Sequence, residues 1–222
     1  SERVHPLSTD LAGESAHIES RIRGEHELHV FQALREMDEI LCANFGVFLE
    51  AARTGNYDLW IGDEAWDIDY YLHENPELKT APFVWLTDFV GYLPMSDDPS
   101  SREALLTADY NAEMIEQVER FPHVRDVSVF IGDPDDIVPA RFGPNLPFIR
   151  DWTQQHFDFS GYVRYFDPAA LSDRRSLRSG YGFAEDERVV VAAVGGSSVG
   201  ASLLHRIAHA WGGIHNTFPD TR

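Results

Sequence analysis

A turn rich in glycine and serine has the residue types and spacing to bind a phosphate. The apolar run at residues 189–194 precedes it and predicts a strand buried on both faces, as in a parallel sheet covered by helices. Glycines let the backbone approach a ligand closely, and the N–H groups at the start of the following helix attract anions. We therefore expect a diphosphate to bind at Gly195, Gly196, Ser197, Ser198 and Gly200.

Two better-known phosphate loops do not fit this turn. A Walker loop has Lys and then Ser or Thr after its second glycine, whereas Ala201 and Ser202 follow Gly200. A dinucleotide fingerprint needs glycine at its third position, which is Ser197 here. Two alternatives stay open: a turn that binds nothing, and an α/β-hydrolase elbow with Ser198 as the nucleophile. Whether or not the turn binds a phosphate, Ser197 or Ser198 is expected to cap the helix that follows it.

Acidic residues follow two short apolar segments that we predict to be strands. Asp63 and Glu64 come after residues 56–62, and Asp88 comes after residues 82–87. Open α/β sheets bind ligands at the carboxyl ends of their strands, where a carboxylate can orient a hydroxyl or act as a base. Asp63 and Glu64 are therefore candidate catalytic residues, and Asp88 is a candidate cleft residue. Helix capping is the alternative explanation for these acids.

The sequence offers no convincing set of metal ligands. Asp67 and Asp69 form an Asp-x-Asp pair inside a predicted helix, where positions two apart point to different faces. His205 and His209 lack the glutamate that accompanies the paired histidines of a zincin helix. We therefore expect no metal and no cofactor.

The alternation of helix and strand patterns predicts an α/β fold with right-handed crossovers. Apolar residues recur at spacings of three and four over residues 25–53, which predicts a helix that Asn44 or Gly46 breaks or bends. Residues 132–147 are rich in Pro, Asp and Gly and predict an ordered loop. Strands are predicted at 56–62, 82–87, 127–132 and 157–163, and helices at 65–74 and 101–121.

Composition limits the class of partner and the compartment. A chain of 222 residues with 43% hydrophobic residues can bury a large core, and a net charge of −19 disfavours nucleic acid and anionic membranes as partners. Cys42 is the only cysteine, which suits a reducing interior. The sequence shows no membrane-spanning run and no signal segment, so we expect a cytoplasmic protein.

The order of these pieces resembles the two-Rossmann (GT-B) glycosyltransferases, especially those related to undecaprenyl-sugar and macrolide-modifying enzymes. In that family the acceptor half ends in a segment similar to residues 159–163. A connector follows, and the donor half opens with a strand and a Gly-Gly-Ser loop similar to residues 189–200. Residues 57–72 and 81–89 resemble late strands of the acceptor half.

The resemblance implies a GT-B-like chain with two Rossmann-type parallel-sheet units, both incomplete. Residues 1–163 would be an acceptor-side domain without its opening strand and loop. Residues 164–222 would be a connector followed by the first strand, loop and helix of the donor-binding domain. We therefore expect a fragment of a longer protein that is inactive by itself.

The implied function is transfer of a sugar from a nucleotide diphosphate donor, UDP- or TDP-linked, to an acceptor hydroxyl on a small molecule or lipid. The resemblance places the donor diphosphate on the backbone of residues 195–198 without a bound metal. Trp66 and Asp88 would line the acceptor cleft, and Asp63 and Glu64 are the catalytic candidates. The family base usually lies in an opening loop that we do not find here. A nucleotide-sugar epimerase and a non-catalytic nucleotide-sugar-binding protein remain alternatives because they share the fold.

Overall fold

The structure is a computed structural model that describes residues 4–13, 17, 37–194 and 200–222. The chain divides into two compact units. One unit comprises Ser1–Glu14 and His29–Val163, and the other comprises Ser15–Leu28 and Arg164–Arg222.

A parallel sheet of four strands, in the order β1-β2-β3-β4, forms the centre of the first unit. Its strands are β1 (Trp60–Asp63), β2 (Phe83–Thr87), β3 (Val127–Phe130) and β4 (Asp158–Phe159). The register places Trp60 beside Phe83 and Val84 beside Val127. The predicted α/β class with a parallel sheet is confirmed. β4 is shorter than the predicted 157–163, because Gly161 takes a positive φ of 63° shortly after it.

One helix precedes β1, and further helices lie in the connections between consecutive strands. They are α1 (Asp38–Gly55), α2 (Trp66–Glu74), α3 (Arg102–Arg120) and α4 (Ile149–His156). Ser101 begins α3 as its N-cap, and its hydroxyl accepts the Ala104 N–H at 3.1 Å, which satisfies a backbone donor that the helix itself leaves unpaired. The loop predicted over 132–147 is present and contains one short 3₁₀ turn, Pro134–Asp136.

The predicted break of the first helix at Asn44 or Gly46 is wrong. α1 runs from Asp38 to Gly55 through both residues. Asn44 is buried, and its side chain accepts the Ala12 N–H at 2.9 Å and donates to Ala12 O at 3.4 Å. A hydrogen-bonded partner outside the helix therefore outweighs the low helix propensity of asparagine.

The core lies where the helices pack on the sheet. β2 alternates strictly, with Phe83, Trp85 and Thr87 buried on one face and the residues between them half-buried. Leu72 from α2 and Trp152 from α4 belong to the same buried cluster. This burial fixes the register of the central strand, because a slip by one residue would move every buried side chain to the other face.

The second unit contains α5 (Arg174–Gly180) and α6 (Ala201–Thr217). Residues 164–194 and 200–222 form no strand. The predicted buried strand at 189–194 is therefore wrong, and Val190 and Val191 are 52% and 83% exposed.

An isolated parallel bridge joins Arg188 to Thr221 in place of that strand. Arg188 N donates to Asp220 O at 2.9 Å, and Arg222 N donates to Arg188 O at 2.8 Å. An apolar run becomes a buried strand only where neighbouring strands and helices cover it, and the described residues of this unit provide no such sheet.

Candidate functional site at the carboxyl ends of the strands

Glu64 and Asp88 lie together at the carboxyl ends of β1 and β2. The Glu64 N–H donates to Leu86 O at 2.9 Å, which continues the parallel pairing one residue beyond β1. Glu64 Oε1 accepts from the Asp88 N–H at 3.4 Å and from Thr87 Oγ1 at 3.3 Å. The structure therefore brings together two acids that the sequence predicted only as separate strand-end residues.

The surroundings of Glu64 favour its protonated form. Burial raises the pKa of Glu64 above its ordinary value, and a hydrogen bond and charge repulsion with Asp88 raise it further. The contacts that stabilise the ionised form of Glu64 are weak. Thr87 has a single hydroxyl proton, and its Oγ1 lies 2.8 Å from Phe89 O but 3.3 Å from Glu64 Oε1. Glu64 can therefore exchange a proton with a bound hydroxyl at a pH nearer neutrality than an ordinary carboxyl can.

The backbone of Glu64 is strained, and among the described residues the neighbouring Asp63 makes no hydrogen bond to Asp88. Glu64 has φ of 50°, in the left-handed region that residues with a side chain seldom adopt. Such strain is found at binding and catalytic positions more often than elsewhere. Asp63 is the last residue of β1 and is exposed. Of the two catalytic candidates, only Glu64 contacts Asp88 in the described structure.

Aromatic side chains form a wall beside the acid pair. The Trp66 ring packs edge-on against Trp85, with 4.8 Å between ring centroids, and lies 5.2 Å from Phe89. Phe89 is 5.9 Å from Tyr92. Burial raises the pKa of the Tyr92 hydroxyl well above its ordinary value, so this group stays protonated as a possible donor. Trp66 thus packs against the residue that follows Asp88, and the role of both residues in an acceptor cleft stays a prediction.

A buried asparagine that the sequence analysis missed holds the loops around this site. Asn111 on α3 is fully buried and bonds to backbone groups of Tyr92, after β2, and Phe142, after β3. Gly91 has φ of 72°, and a Cβ there would lie 2.4 Å from the Phe142 ring. Asparagine in mid-helix and glycine in a loop after a strand are weak sequence signals, since neither identifies its partner.

A cavity of about 430 Å³ lies between the same two loops. Most of its described lining residues are apolar, and Arg141 is the basic residue among them. The Arg141 guanidinium stacks on the Phe148 ring at 3.9 Å and donates to Leu146 O at 2.9 Å. The loops at the carboxyl ends of β2 and β3 therefore form a concave surface that suits an apolar group. Its apolar lining residues include Pro94, Pro99, Ala104, Ala108 and Phe142.

The aspartates of the Asp-x-Asp pair do not act together. Asp69 is buried and pairs with Arg125, with Oδ1 to Nε at 2.6 Å and Oδ2 to Nη2 at 2.5 Å. Burial raises the pKa of Asp67, whose Oδ1 accepts the Ile68 N–H at 2.9 Å. Within the described ranges, no three His, Cys, Asp or Glu side chains gather as metal ligands.

The glycine-rich turn lies largely outside the described residues. Gly195, Gly196, Ser197 and Ser198, the expected diphosphate ligands, all belong to that part of the chain. Gly200 is described and is the N-cap of α6, so neither serine holds the N-cap position. A Cβ on Gly200 would lie 2.4 Å from Val194 Cβ, which explains the need for glycine there.

The arrangement of Glu64, Asp88 and Trp66 suits binding of a polar molecule that also has an apolar face. A carboxyl with a raised pKa can exchange a proton with a hydroxyl, and the aromatic wall can cover a sugar ring or a hydrocarbon.

None of the helices in the described part of the chain is long and apolar enough to span a membrane. Comparison with protein-family models, curated proteins and solved structures gave no match to this chain.

Proposed function

We propose that this chain carries the acceptor side of a glycosyltransferase that uses a nucleotide-sugar donor. The supporting observation is the pair of Glu64 and Asp88 at adjacent strand ends, with the raised pKa of Glu64 and the aromatic wall of Trp66 and Phe89 beside it. Carboxyl ends of parallel strands are the usual ligand side of open α/β sheets. The resemblance to the GT-B family supplies the reaction class.

In the proposed reaction, the acceptor hydroxyl attacks the anomeric carbon of the donor sugar. A carbon–oxygen bond forms there, while the bond from that carbon to the diphosphate breaks and its electron pair leaves with the nucleoside diphosphate. Ionised Glu64 takes the hydroxyl proton, and the Asp88 backbone N–H, which donates to Glu64 Oε1 at 3.4 Å, positions the carboxylate. The balance requires no oxidant and no further reactant.

The donor side of the proposal rests on the sequence of the glycine-rich turn. Backbone N–H groups of Gly195, Gly196, Ser197 and Ser198, together with the two serine hydroxyls, would hold the diphosphate and stabilise its charge as it departs. The donor would be UDP- or TDP-linked, and the acceptor a small molecule or lipid that fits an apolar and aromatic surface.

The donor site is tested by calorimetric titration with UDP, TDP and GDP and with their sugar conjugates. The variant Ser197→Ala with Ser198→Ala is expected to bind the preferred nucleotide about tenfold more weakly, because it loses hydroxyl donors to the phosphates. The matched control replaces the exposed Ser172 and Ser179 with alanine and is expected to bind like wild type. No saturable binding of any nucleotide by wild type would overturn the proposed donor.

The acceptor site is tested by sugar transfer in the full-length protein, with the nucleotide that the titration identifies. Glu64→Gln is expected to lower kcat at least about 100-fold, the range for a lost general base, while nucleotide affinity stays unchanged. The control is Glu77→Gln, an exposed glutamate in a short 3₁₀ turn, with kcat expected to be unchanged. Nucleotide binding without transfer in wild type would favour a binding protein, and full activity of Glu64→Gln would exclude Glu64 as the base.

A further inference from the structure

A second cleft, of about 510 Å³, lies at the amino ends of strands of the same sheet. Its lining comes from the start of β3 and β4, where Arg125, Asp126 and Asp158 lie, and from the ends of α2, α3 and α4. All of these residues belong to the first unit. The acid pair of the proposed acceptor site lies at the carboxyl ends of the strands, so this cleft is a different site.

His73 is a buried acceptor on the wall of this cleft. The side chain is 2% exposed, and its Nδ1 lies 2.8 Å from Asp69 O, one turn earlier in α2. A carbonyl oxygen can only accept, so Nδ1 carries the proton and Nε2 of the neutral ring has a free lone pair. Burial lowers the pKa of His73 and outweighs the opposing charge of Asp69, so the neutral form of the ring is favoured. Nε2 is buried and has no hydrogen-bond partner.

An unpartnered buried acceptor calls for a ligand that donates a hydrogen bond. Leaving such an atom unpaired destabilises the fold, and most buried polar atoms in native proteins are paired. Among the described residues that line the cleft, Arg125 carries the guanidinium, and it is not available for an anion because it already forms a two-point contact with Asp69. The cleft therefore favours a donor ligand over an acceptor ligand.

The charge around the cleft favours a cation. Glu119 and Asp158 line it as exposed carboxylates, whereas Asp126 is paired with Lys79 at 2.6 Å. Helices α2, α3 and α4 all direct their C-terminal ends toward the cleft through residues that line it. Helix C-termini carry partial negative charge, so three of them add to the attraction for a positive group.

Apolar lining beside these charges suits a hydrocarbon chain. Val118, Phe121 and Phe157 line the cleft together with the amides of Gln154 and Gln155. A ligand with one charged end and an aliphatic tail can therefore bury its tail against these rings while its charged end faces the carboxylates.

We propose that this cleft binds an aliphatic primary ammonium group, which donates an N–H to Nε2 of His73 and is neutralised by Glu119 and Asp158. The ligand class is an alkylamine, or a larger molecule with an aminoalkyl arm. The site is independent of the proposed sugar transfer.

The test uses three probes of the same chain length in NMR titrations of the chain: hexylammonium, hexyltrimethylammonium and hexanol. Hexylammonium is expected to give saturable shifts at His73 and at the backbone of residues 154–158. Hexyltrimethylammonium keeps the charge but has no N–H to donate, and it is expected to bind about tenfold more weakly. Hexanol can donate but has no charge, and it is expected to bind about tenfold more weakly as well.

Two charge variants separate this site from general attraction to an acidic chain. Glu119→Gln with Asp158→Asn is expected to weaken hexylammonium binding about fivefold, on the scale of exposed charge pairs. The matched control, Glu116→Gln with Asp109→Asn, removes the same charge from exposed positions of α3 outside the cleft lining and is expected to leave binding unchanged.

Three results would overturn the proposal. Absence of saturable shifts at His73 would mean that Nε2 takes no amine. Equal affinity for hexylammonium and hexyltrimethylammonium would exclude the hydrogen bond. Equal weakening in both charge variants would mean that the amine responds only to net charge.

Discussion

Asn111 and Tyr92 are joined by two hydrogen bonds that run in opposite directions. Asn111 Oδ1 accepts the Tyr92 N–H at 3.0 Å, and Asn111 Nδ2 donates to Tyr92 O at 2.8 Å. The second proton of the same amide goes to Phe142 O at 2.7 Å. One buried side chain of α3 therefore ties the loop after β2 to the loop after β3, and both loops border the candidate site.

Replacing Asn111 with alanine is expected to lower the free energy of unfolding by about 3 kcal/mol, because three backbone groups lose their buried partner. Urea denaturation measures this loss. The control is Asn75→Ala, since the half-buried Asn75 amide donates one bond, to Tyr71 O at 3.0 Å, and its loss is expected to cost about 1 kcal/mol. Equal costs for the two variants would contradict the role of Asn111 as the tie between the loops.

The raised pKa of Glu64 predicts a pH-dependent cost of folding. The folded chain binds the Glu64 proton more tightly than the unfolded chain, so Glu64 favours folding below its ordinary pKa of 4.5. That contribution is lost as the pH rises through the folded-state pKa. Glu64→Gln is expected to match wild type near pH 4 and to be more stable at pH 7 by about 0.5 kcal/mol, since the group is partly exposed.

Urea denaturation of wild type and Glu64→Gln across this pH range measures the difference. The exposed control Glu77→Gln is expected to show no such trend with pH. A stability gain for Glu64→Gln that is already complete at pH 4 would mean that ionisation of Glu64 is not its cause.

The buried pair of Asp69 and Arg125 predicts strong coupling between the two side chains. Arg125→Met alone is expected to lower the free energy of unfolding by about 3 kcal/mol, because Asp69 stays buried without its partner. The double variant, Arg125→Met with Asp69→Asn, is expected to lose at least about 2 kcal/mol less than the sum of the losses of the two single variants. A double-mutant cycle in urea measures the coupling, and additive losses would show that the pair does not act as a unit.

Strand positions in the first unit follow from local sequence, and so does part of the candidate site. The apolar segments before Asp63 and Asp88 end in acids, and parallel pairing brings such ends to one edge. That reasoning predicted Glu64 and Asp88 as residues at strand ends, and the structure shows that they lie next to each other. The same reasoning did not separate Glu64 from Asp63, because the distinction depends on the side-chain contact with Asp88 and on a backbone angle.

Partners that are far apart in sequence could not be predicted. Asp69 and Arg125 are 56 residues apart, and each has the pattern of a solvated helix or loop residue. The exposed Val190 and Val191 show the converse case, since a β-branched run predicts a buried strand only when other parts of the chain cover it. The periodicity of a sequence indicates which face of a helix or strand is apolar. Which other segment packs on that face depends on the tertiary fold and cannot be inferred from the local sequence.

Gly91 and Gly161 offer a matched pair for separating backbone strain from steric exclusion. Both have positive φ, 72° and 63°, but a Cβ on Gly91 would lie 2.4 Å from Phe142, whereas nothing lies within 4 Å of one on Gly161. Gly161→Ala is expected to lose about 1 kcal/mol in urea denaturation, the cost of the left-handed conformation alone. Gly91→Ala is expected to lose at least about 3 kcal/mol, because the Phe142 ring must also shift. Equal losses would mean that the loop carrying Gly91 moves away from Phe142 without cost, and that close packing does not hold these two loops together.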